Sequence, residues 1–210
     1  FLRPDLNAIL DPFLFTDMNK AVARLIRAVR DDEKIGILGD YDVDGTSGTA
    51  ILVKFFRFLG KEVFYRIPHR VKDGYGLNER VVHEFGELDV RVLITIDCGT
   101  SNIKEIALAK ELGMDSIVVD HHESPEILPD AEAILNPKLA QSGYPFAGIC
   151  STGIAFKVAW AISDKLAPEK KKTPEYQAFL LDAMGCVAMG TIADVCPLIG
   201  ENRIFVTYGL

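Results

Sequence analysis

The feature that most constrains the fold of this chain is a repeated alternation of short apolar runs with amphipathic segments. Such runs are typical of strands buried on both faces, and four of them are residues 35–38, 63–65, 92–96 and 116–119. Apolar residues at helical spacing follow the first three runs, over 49–59, 78–85 and 103–112. Because strands that alternate with helices form parallel sheets, the pattern predicts an α/β fold with a mainly parallel sheet and helices on both faces.

Further elements are predicted on either side of this alternation. Three- and four-residue spacing indicates a helix over 17–30, within an N-terminal helical lead-in that ends at about residue 34. After a short strand at 133–135, two more helices are predicted over 151–166 and 176–189. The lysine-rich connection between them, 168–174, is interpreted as a solvated loop. We expect one domain, residues 1–210, and we interpret Phe1 and the apolar run 204–210 as signs of a fragment.

Composition excludes several classes of protein. The chain has no stretch of about 18 unbroken apolar residues, so we expect no membrane span and a cytoplasmic protein. Its four cysteines form no CxxC pair, which favours reduced and mostly buried thiols over a zinc knuckle or a disulfide framework. A net charge of −7 argues against a basic nucleic-acid face, unless clustered acids bind cations that offset it.

Acidic residues follow three of the predicted strands, at the point where each strand ends. They are Asp40, Asp97 and Asp120, and parallel strands bring such residues to one edge of a sheet. The neighbouring motif residues add four more polar groups, Asp42, Asp44, His121 and His122. Because so many like charges repel one another, bound cations are the expected solution. Carboxylate and imidazole ligands without a thiolate favour Mn²⁺ or Mg²⁺.

The same residues have other possible interpretations. Single aspartates at strand ends are often helix caps or solvated loop residues. Residues 40–45 match the first half of an EF-hand loop, but its twelfth position would be Ile51 and a strand precedes it. A receiver-like phospho-acceptor domain also gathers acids at strand ends, yet it does not explain adjacent histidines. The chain has no GxxxxGK[ST], GxSxG or HExxH motif.

Two segments are candidates for binding substrate. Gly45 is expected to permit a tight turn, with Thr46 or Ser47 capping the next helix and directing N–H groups at a phosphate. The loop 66–77 combines cations with an aromatic ring, through His69, Arg70 and Tyr75. That mixture suits a nucleotide, although a plain polar loop is the alternative.

Four segments resemble, in the same order, the motifs of the DHH phosphoesterases. They are GDYDVDG at 39–45, TIDCG at 95–99, VVDHHE at 118–123 and GTIADVCPL at 190–198. Within that superfamily the chain is similar to the RecJ-like exonucleases through three more segments, LDPFLFTDM at 10–18, RVKDGYGLN at 70–78 and FAGICSTGIAFK at 146–157. The similarity runs over nearly all 210 residues.

The resemblance implies a site for two Mn²⁺ or Mg²⁺ ions, with Asp97 bridging them. The remaining ligands that it implies are Asp40, Asp42, Asp44, His121 and Asp194. Asp120 is expected to orient neighbouring groups, and His122 to lie near the scissile phosphate. Pyrophosphatase-like relatives carry a histidine ligand shortly before their first aspartates. Leu38 occupies that position here, so that ligand is absent or replaced by Asp40.

The resemblance also implies a function. We expect two-metal hydrolysis of phosphodiesters without a covalent intermediate, in a 5′-to-3′ single-stranded-DNA exonuclease of DNA repair and recombination. Single-stranded DNA and replication or repair proteins are the implied partners. A second catalytic domain and an OB-like domain are expected beyond this chain. The alternatives are a DHH hydrolase of short oligonucleotides or cyclic dinucleotides, and a non-catalytic RecJ-like replication scaffold.

Overall fold

A five-stranded parallel sheet forms the centre of the computed structural model, which describes residues 4–70, 74 and 76–210. The strands are β1 (Lys34–Gly39), β2 (Phe64–Arg66), β3 (Val90–Ile96), β4 (Asp115–Val119) and β5 (Ala133–Leu135). Their order across the sheet is β2-β1-β3-β4-β5, and every neighbouring pair is parallel. The predicted α/β fold is therefore confirmed.

Helices lie on both faces of the sheet. They are α1 (Met18–Arg30), α2 (Val43–Phe58), α3 (Glu79–Glu87), α4 (Ile103–Glu111), α5 (Ser151–Leu166), α6 (Pro174–Ala193) and α7 (Gly200–Gly209). Two short 3₁₀ helices, Leu6–Ala8 and Pro12–Leu14, precede α1.

Alternate side chains along the strands enter two separate cores. Ile94 and Ile96 of β3 belong to the larger core, together with buried residues of α1, α2, α5, α6 and α7. Leu93 of the same strand belongs to the smaller core, which α3 and α4 cover. This alternation has the period of two that a strand imposes, and it explains the apolar runs of β1, β3 and β4. The prediction of burial was wrong for β2, whose three residues are exposed because it is an edge strand.

Two helices are longer than their patterns predicted. Helix α2 begins at Val43 and not at residue 49, because Asp42 caps it by accepting a hydrogen bond from the Gly45 N–H at 3.0 Å. Helix α6 begins at Pro174, where Thr173 is the cap, and ends at Ala193. The lysine-rich connection contains a 3₁₀ helix, Pro168–Lys172, and is not an open loop throughout.

Helix α6 is long and apolar enough, by length and composition, to cross a membrane. In this fold it packs against α2, α5 and α7, and buried side chains such as Phe179 and Val187 belong to the larger core. The composition of α6 is thus also that of a helix packed inside a folded domain.

The four cysteines are free thiols. Cys98 and Cys150 are buried, as predicted, whereas Cys186 and Cys196 are partly exposed. Burial raises the pKa of the Cys98 thiol, and nearby carboxylates raise it further.

Candidate metal centre

The ends of three adjacent strands hold the predicted aspartates in one place. The backbone N–H of Asp40 donates to Ile96 O at 3.0 Å, and that of Asp97 donates to Val119 O at 2.9 Å. The Asp120 N–H donates to Leu135 O at 3.1 Å. These bonds continue the sheet ladder by one residue, so the sheet itself fixes the spacing of the three carboxylates.

Asp97 lies at the centre of the cluster. Its side chain is 1% exposed, and its backbone adopts a left-handed conformation with φ 64°. The Ser151 hydroxyl, at the first residue of α5, donates to Asp97 Oδ1 at 3.0 Å. Sequence reasoning did not select Ser151, and the only signal for it is its place in the segment 146–157 that resembles RecJ.

Asp44 connects two helices at the site. Its two carboxylate oxygens accept the backbone N–H groups of Ser151 and Thr152, both at 2.8 Å. These are orphan donors of the first turn of α5, and a negative charge there is favoured by the helix dipole. Asp44 therefore holds the start of α5 against α2, and one of its oxygens also lies 3.6 Å from His121 Nε2.

His121 brings the separate acids to one point. Its Nε2 atom lies 3.3 Å from Asp97 Oδ1 and 3.5 Å from Asp194 Oδ2. Two ligands at right angles on one small divalent ion are about 3 Å apart, since each ligand lies about 2.1 Å from the ion. The observed spacing of these atoms is close to that value.

Asp194 follows directly on α6, and its neighbour Cys196 donates from Sγ to Asp194 Oδ2 at 3.3 Å. Cys196 thus lies beside the cluster, which the sequence did not predict. The sequence signal for this contact is the spacing, since the thiol and the carboxylate are only two residues apart.

Asp120 holds the two histidines by several hydrogen bonds. Its Oδ1 atom accepts the His121 N–H at 2.8 Å and contacts His122 Nδ1 at 2.8 Å. Burial raises the pKa of Asp120, but hydrogen bonds from His122 and Thr100 outweigh this and lower that pKa well below its usual range. Buried Asn136, which the sequence did not single out, donates to His122 O at 2.9 Å and braces the same loop.

Electrostatics at the cluster favour a bound cation. Burial, together with the charges of Asp44 and Asp42, raises the pKa of Asp97 to about 10. Burial also raises the pKa of Asp40. Among the described residues, Asp40 Oδ2 and His121 Nε2 are buried without a hydrogen-bond partner. Buried acceptors of this kind carry a desolvation cost that a divalent ion would remove.

Among the described residues, the possible ligand atoms fall into three overlapping groups, of which two share Asp97 and two share His121. One group consists of Asp40, Asp42 and Asp97, with ligand atoms within 4.8 Å of one another. A second consists of Asp97, His121 and His122, and a third of His121, Asp194 and Cys196. The carboxylate and imidazole donors and their spacing therefore fit hard divalent ions.

The predicted substrate residues have different outcomes. Arg70 is exposed, and its guanidinium carbon lies 5.2 Å from the centre of the Tyr41 ring in the first motif. His69 is also exposed, whereas Tyr75 lies outside the described residues. The Gly76 N–H donates to Asp40 Oδ1 at 3.3 Å, which ties the end of this loop to the cluster.

The prediction that Thr46 or Ser47 caps the next helix was wrong. Both residues lie inside α2, whose cap is Asp42, and the Thr46 hydroxyl donates to Asp42 O at 2.6 Å. The predicted tight turn at Gly45 is the first turn of that helix. A glycine is needed there for another reason, because a Cβ would lie 2.5 Å from Asp40 O.

A parallel α/β sheet with carboxylates and imidazoles gathered at the carboxyl ends of its strands defines a metal-binding α/β protein. Residues 34–191 match the DHH family, N-terminal domain, and this chain belongs to that family.

Curated relatives extend the similarity over nearly the whole chain. The single-stranded-DNA-specific exonuclease RecJ of Bacillus subtilis (strain 168) is 40% identical over 200 residues, covering 95% of this chain and 24% of the relative. RecJ of Haemophilus influenzae is 40% identical over 206 residues, covering 98% and 36% respectively. The chain thus spans about a quarter to a third of the length of these two relatives.

A solved structure, exonuclease RecJ bound to manganese, matches this fold with a TM-score of 0.77. The two chains are 35% identical, and the match covers 93% of this chain and 47% of the other.

Proposed function

We propose that this chain carries the metal-binding core of a phosphodiesterase that degrades single-stranded DNA from its 5′ end. One observation carries the proposal. His121 Nε2 lies within 3.6 Å of carboxylates from three separate elements, in a chain that is 40% identical to RecJ over nearly all its length. Such a cluster of buried acids and an imidazole suits divalent ions that face a phosphate.

Two Mn²⁺ or Mg²⁺ ions would be held by carboxylates and one imidazole, with Asp97 between them. The other ligands that we propose are Asp40, Asp42, Asp44, His121 and Asp194. Bound there, the ions would lower the pKa of a water and stabilise the charge that develops on the phosphate. The chain's own residues position the ligands: Ser151 orients Asp97, and the N–H groups of α5 orient Asp44.

His122 is the residue that we expect to contact the scissile phosphate. An ionised Asp120 can only accept, so the 2.8 Å contact places a proton on His122 Nδ1. The hydrogen bond to Asp120 raises the pKa of His122, which favours the cationic ring. His122 and Asp120 line a cavity of about 380 Å³, large enough for part of a nucleotide. In this role Asp120 is a positioning residue.

Substrate contacts are proposed on the first motif and the loop after β2. Arg70, held over Tyr41, would bind a phosphate, with His69 beside it. Tyr75 would supply a stacking ring. Thr46 would face the DNA strand from the first turn of α2. Ser47 is only 7% exposed, so we do not propose it as a substrate contact.

The two alternative functions are less favoured. A hydrolase of short oligonucleotides or cyclic dinucleotides does not account for the similarity to RecJ outside the shared motifs. A non-catalytic scaffold would not need the full set of acids and histidines that the structure brings together. With this substrate we propose a cytoplasmic protein that acts together with replication or repair proteins. The four free thiols suit that compartment.

The test compares the full-length protein with its Asp97→Ala and His121→Ala variants. We expect both changes to weaken Mn²⁺ binding in calorimetric titrations and to lower cleavage of a 5′-labelled single strand by about 10³-fold. The control is His83→Ala, which removes an exposed histidine of α3. Cleavage that survives either site change, in a folded protein, would contradict the proposed ligand set. A wild type that binds single-stranded DNA without Mn²⁺-dependent cleavage would support the scaffold instead.

A further inference from the structure

A groove with a volume of about 270 Å³ lies between helix α2 and strand β2, which is the edge strand of the sheet. The residues that shape it are Thr46, Ala50, Val53, Lys54, Arg57 and Tyr65. Neither the DHH motifs nor the proposed ligand set accounts for this surface, apart from Thr46 at its upper end.

The groove begins at the metal centre. Helix α2 starts beside Asp42 and Asp44, and Thr46 stands in its first turn. The groove residues of the helix recur at spacings of three and four, which places them on one face. From Thr46 to Arg57 that face runs for about 16 Å, since an α-helix rises 1.5 Å per residue.

The groove combines apolar, aromatic and cationic side chains. Ala50 and Val53 give it an apolar floor, and the exposed ring of Tyr65, 48% accessible, stands on the β2 side. Lys54 and Arg57 are exposed at its lower end. An apolar floor with an aromatic ring suits bases, and the cations suit phosphates.

The two cations are available to a ligand. Lys54 contacts Asp182 at 2.8 Å, but both side chains are more than half exposed, and such surface pairs are weak. No acidic group among the described residues lies within ion-pair distance of Arg57.

We infer that this groove binds the nucleotides of a single DNA strand that lie next to the one being cleaved, as the strand leaves the metal centre along α2. The inference rests on the proposed function and names a further part of its substrate site. A protein segment paired with the open edge of β2 is the other occupant to consider. The start of the groove at the metal centre and its exposed cations favour the nucleic acid.

The experiment uses the full-length protein and its Tyr65→Ala and Arg57→Gln variants. Binding of a labelled oligothymidylate of about 12 nucleotides is measured by fluorescence anisotropy in EDTA, where no cleavage occurs. Loss of the stacking ring is expected to weaken binding about tenfold. Arg57→Gln is expected to reduce the slope of log K against log salt by about 0.7, the value for one phosphate contact on a single strand.

Arg30→Gln is the matched control, because Arg30 is also an exposed arginine, at the end of α1 and outside the groove. A second readout is the kcat/KM for the oligothymidylate divided by that for a dinucleotide, with Mn²⁺ present. This ratio is expected to fall about tenfold in Tyr65→Ala, since a dinucleotide is too short to reach the ring.

The outcomes separate this inference from the proposed function. Anisotropy and salt slopes that match the wild type in both groove variants overturn the inference, and they leave the groove to a protein segment. The inference is also overturned if the wild type does not bind the oligothymidylate. The proposed function fails on a different observation, the absence of Mn²⁺-dependent hydrolysis in the wild type.

Discussion

Gly45 shows how closely the first motif packs against the strand before it. A Cβ at this position would lie 2.5 Å from Asp40 O and 2.6 Å from Asp40 N. Both atoms belong to the backbone, which cannot turn aside as a side chain can. The lack of a side chain at Gly45 therefore lets α2 begin immediately beside Asp40, with Asp42 and Asp44 directed at the same cluster.

At this scale we predict that Gly45→Ala moves α2 away from β1. The expected cost is about 2–3 kcal/mol in the free energy of unfolding, with a clear loss of Mn²⁺ affinity. Urea denaturation and calorimetric titration measure the two effects.

Gly185→Ala is the matched control, since the nearest atom to a Cβ there is Gly209 O at 3.6 Å. In the middle of α6 an alanine is expected to stabilise by about 0.5–1 kcal/mol. Equal effects of the two changes on stability would show that the close approach of Gly45 to Asp40 does not cause the loss in Gly45→Ala.

Helix α2 is the element on which most of the site depends. Its cap, Asp42, belongs to one group of ligand atoms, and Asp44 in its first turn holds the start of α5. Its outer face forms one wall of the groove toward β2. A shift of this helix would disturb ligands and groove together.

The two roles of Asp42 can be separated by two variants. Asp42→Ala removes both the cap and a carboxylate, so we expect a loss of about 1 kcal/mol in unfolding free energy and weaker Mn²⁺ binding. Asp42→Asn keeps an equally good cap, so we expect nearly wild-type stability with the same weakening of Mn²⁺ binding. Thermal or urea unfolding and metal titration give the two readouts.

Thr173→Ala removes the comparable cap of α6, where the Thr173 hydroxyl accepts the Tyr176 N–H at 3.2 Å. It should cost about as much stability as Asp42→Ala and leave Mn²⁺ affinity intact. Full Mn²⁺ affinity in Asp42→Asn would remove Asp42 from the ligand set.

Across the whole molecule, a buried ion pair joins parts that are distant in sequence. Lys157 of α5 and Glu201 of α7 are fully buried side chains, and their charged atoms are 2.7 Å apart. Lys157 also donates to Leu10 O, and Tyr144 donates to Glu201. Burial lowers the pKa of Lys157, and Glu201 opposes that change. The pair thus ties the N-terminal lead-in and α7 to the centre of the fold.

We predict that Lys157→Met costs about 3–5 kcal/mol in unfolding free energy, because it leaves Glu201 charged, buried and without its cation. The double variant Lys157→Met with Glu201→Leu should recover much of that loss, since neither charge remains. Urea denaturation of both variants measures the difference.

Lys110→Met serves as the surface comparison, because Lys110 pairs with Asp130 where both side chains are mostly exposed. Its effect is expected to stay within about 0.5 kcal/mol. A double variant that is less stable than Lys157→Met would contradict this account of the pair.

The fold and most residues of the acidic cluster could be predicted from the sequence, because both depend on local sequence patterns. Strand runs, helical spacing and an aspartate after each of three strands need only neighbouring residues to be recognised. Parallel pairing then brings Asp40, Asp97 and Asp120 to one edge. The start of α2 was nevertheless predicted wrongly from a local pattern. The apolar spacing indicates a start at residue 49, whereas the cap Asp42 lets the helix begin at Val43.

What the sequence by itself determined is the parallel α/β architecture and the residues that meet at the carboxyl edge of the sheet. Only the tertiary structure decided that Ser151 holds Asp97, that Asn136 braces His122, and that Lys157 is paired inside the core. Two of these contacts join residues 54 and 44 positions apart, and the third joins Asn136, directly after β5, to His122. Such contacts depend on how helices and strands pack, and no local period or turn signal encodes that packing.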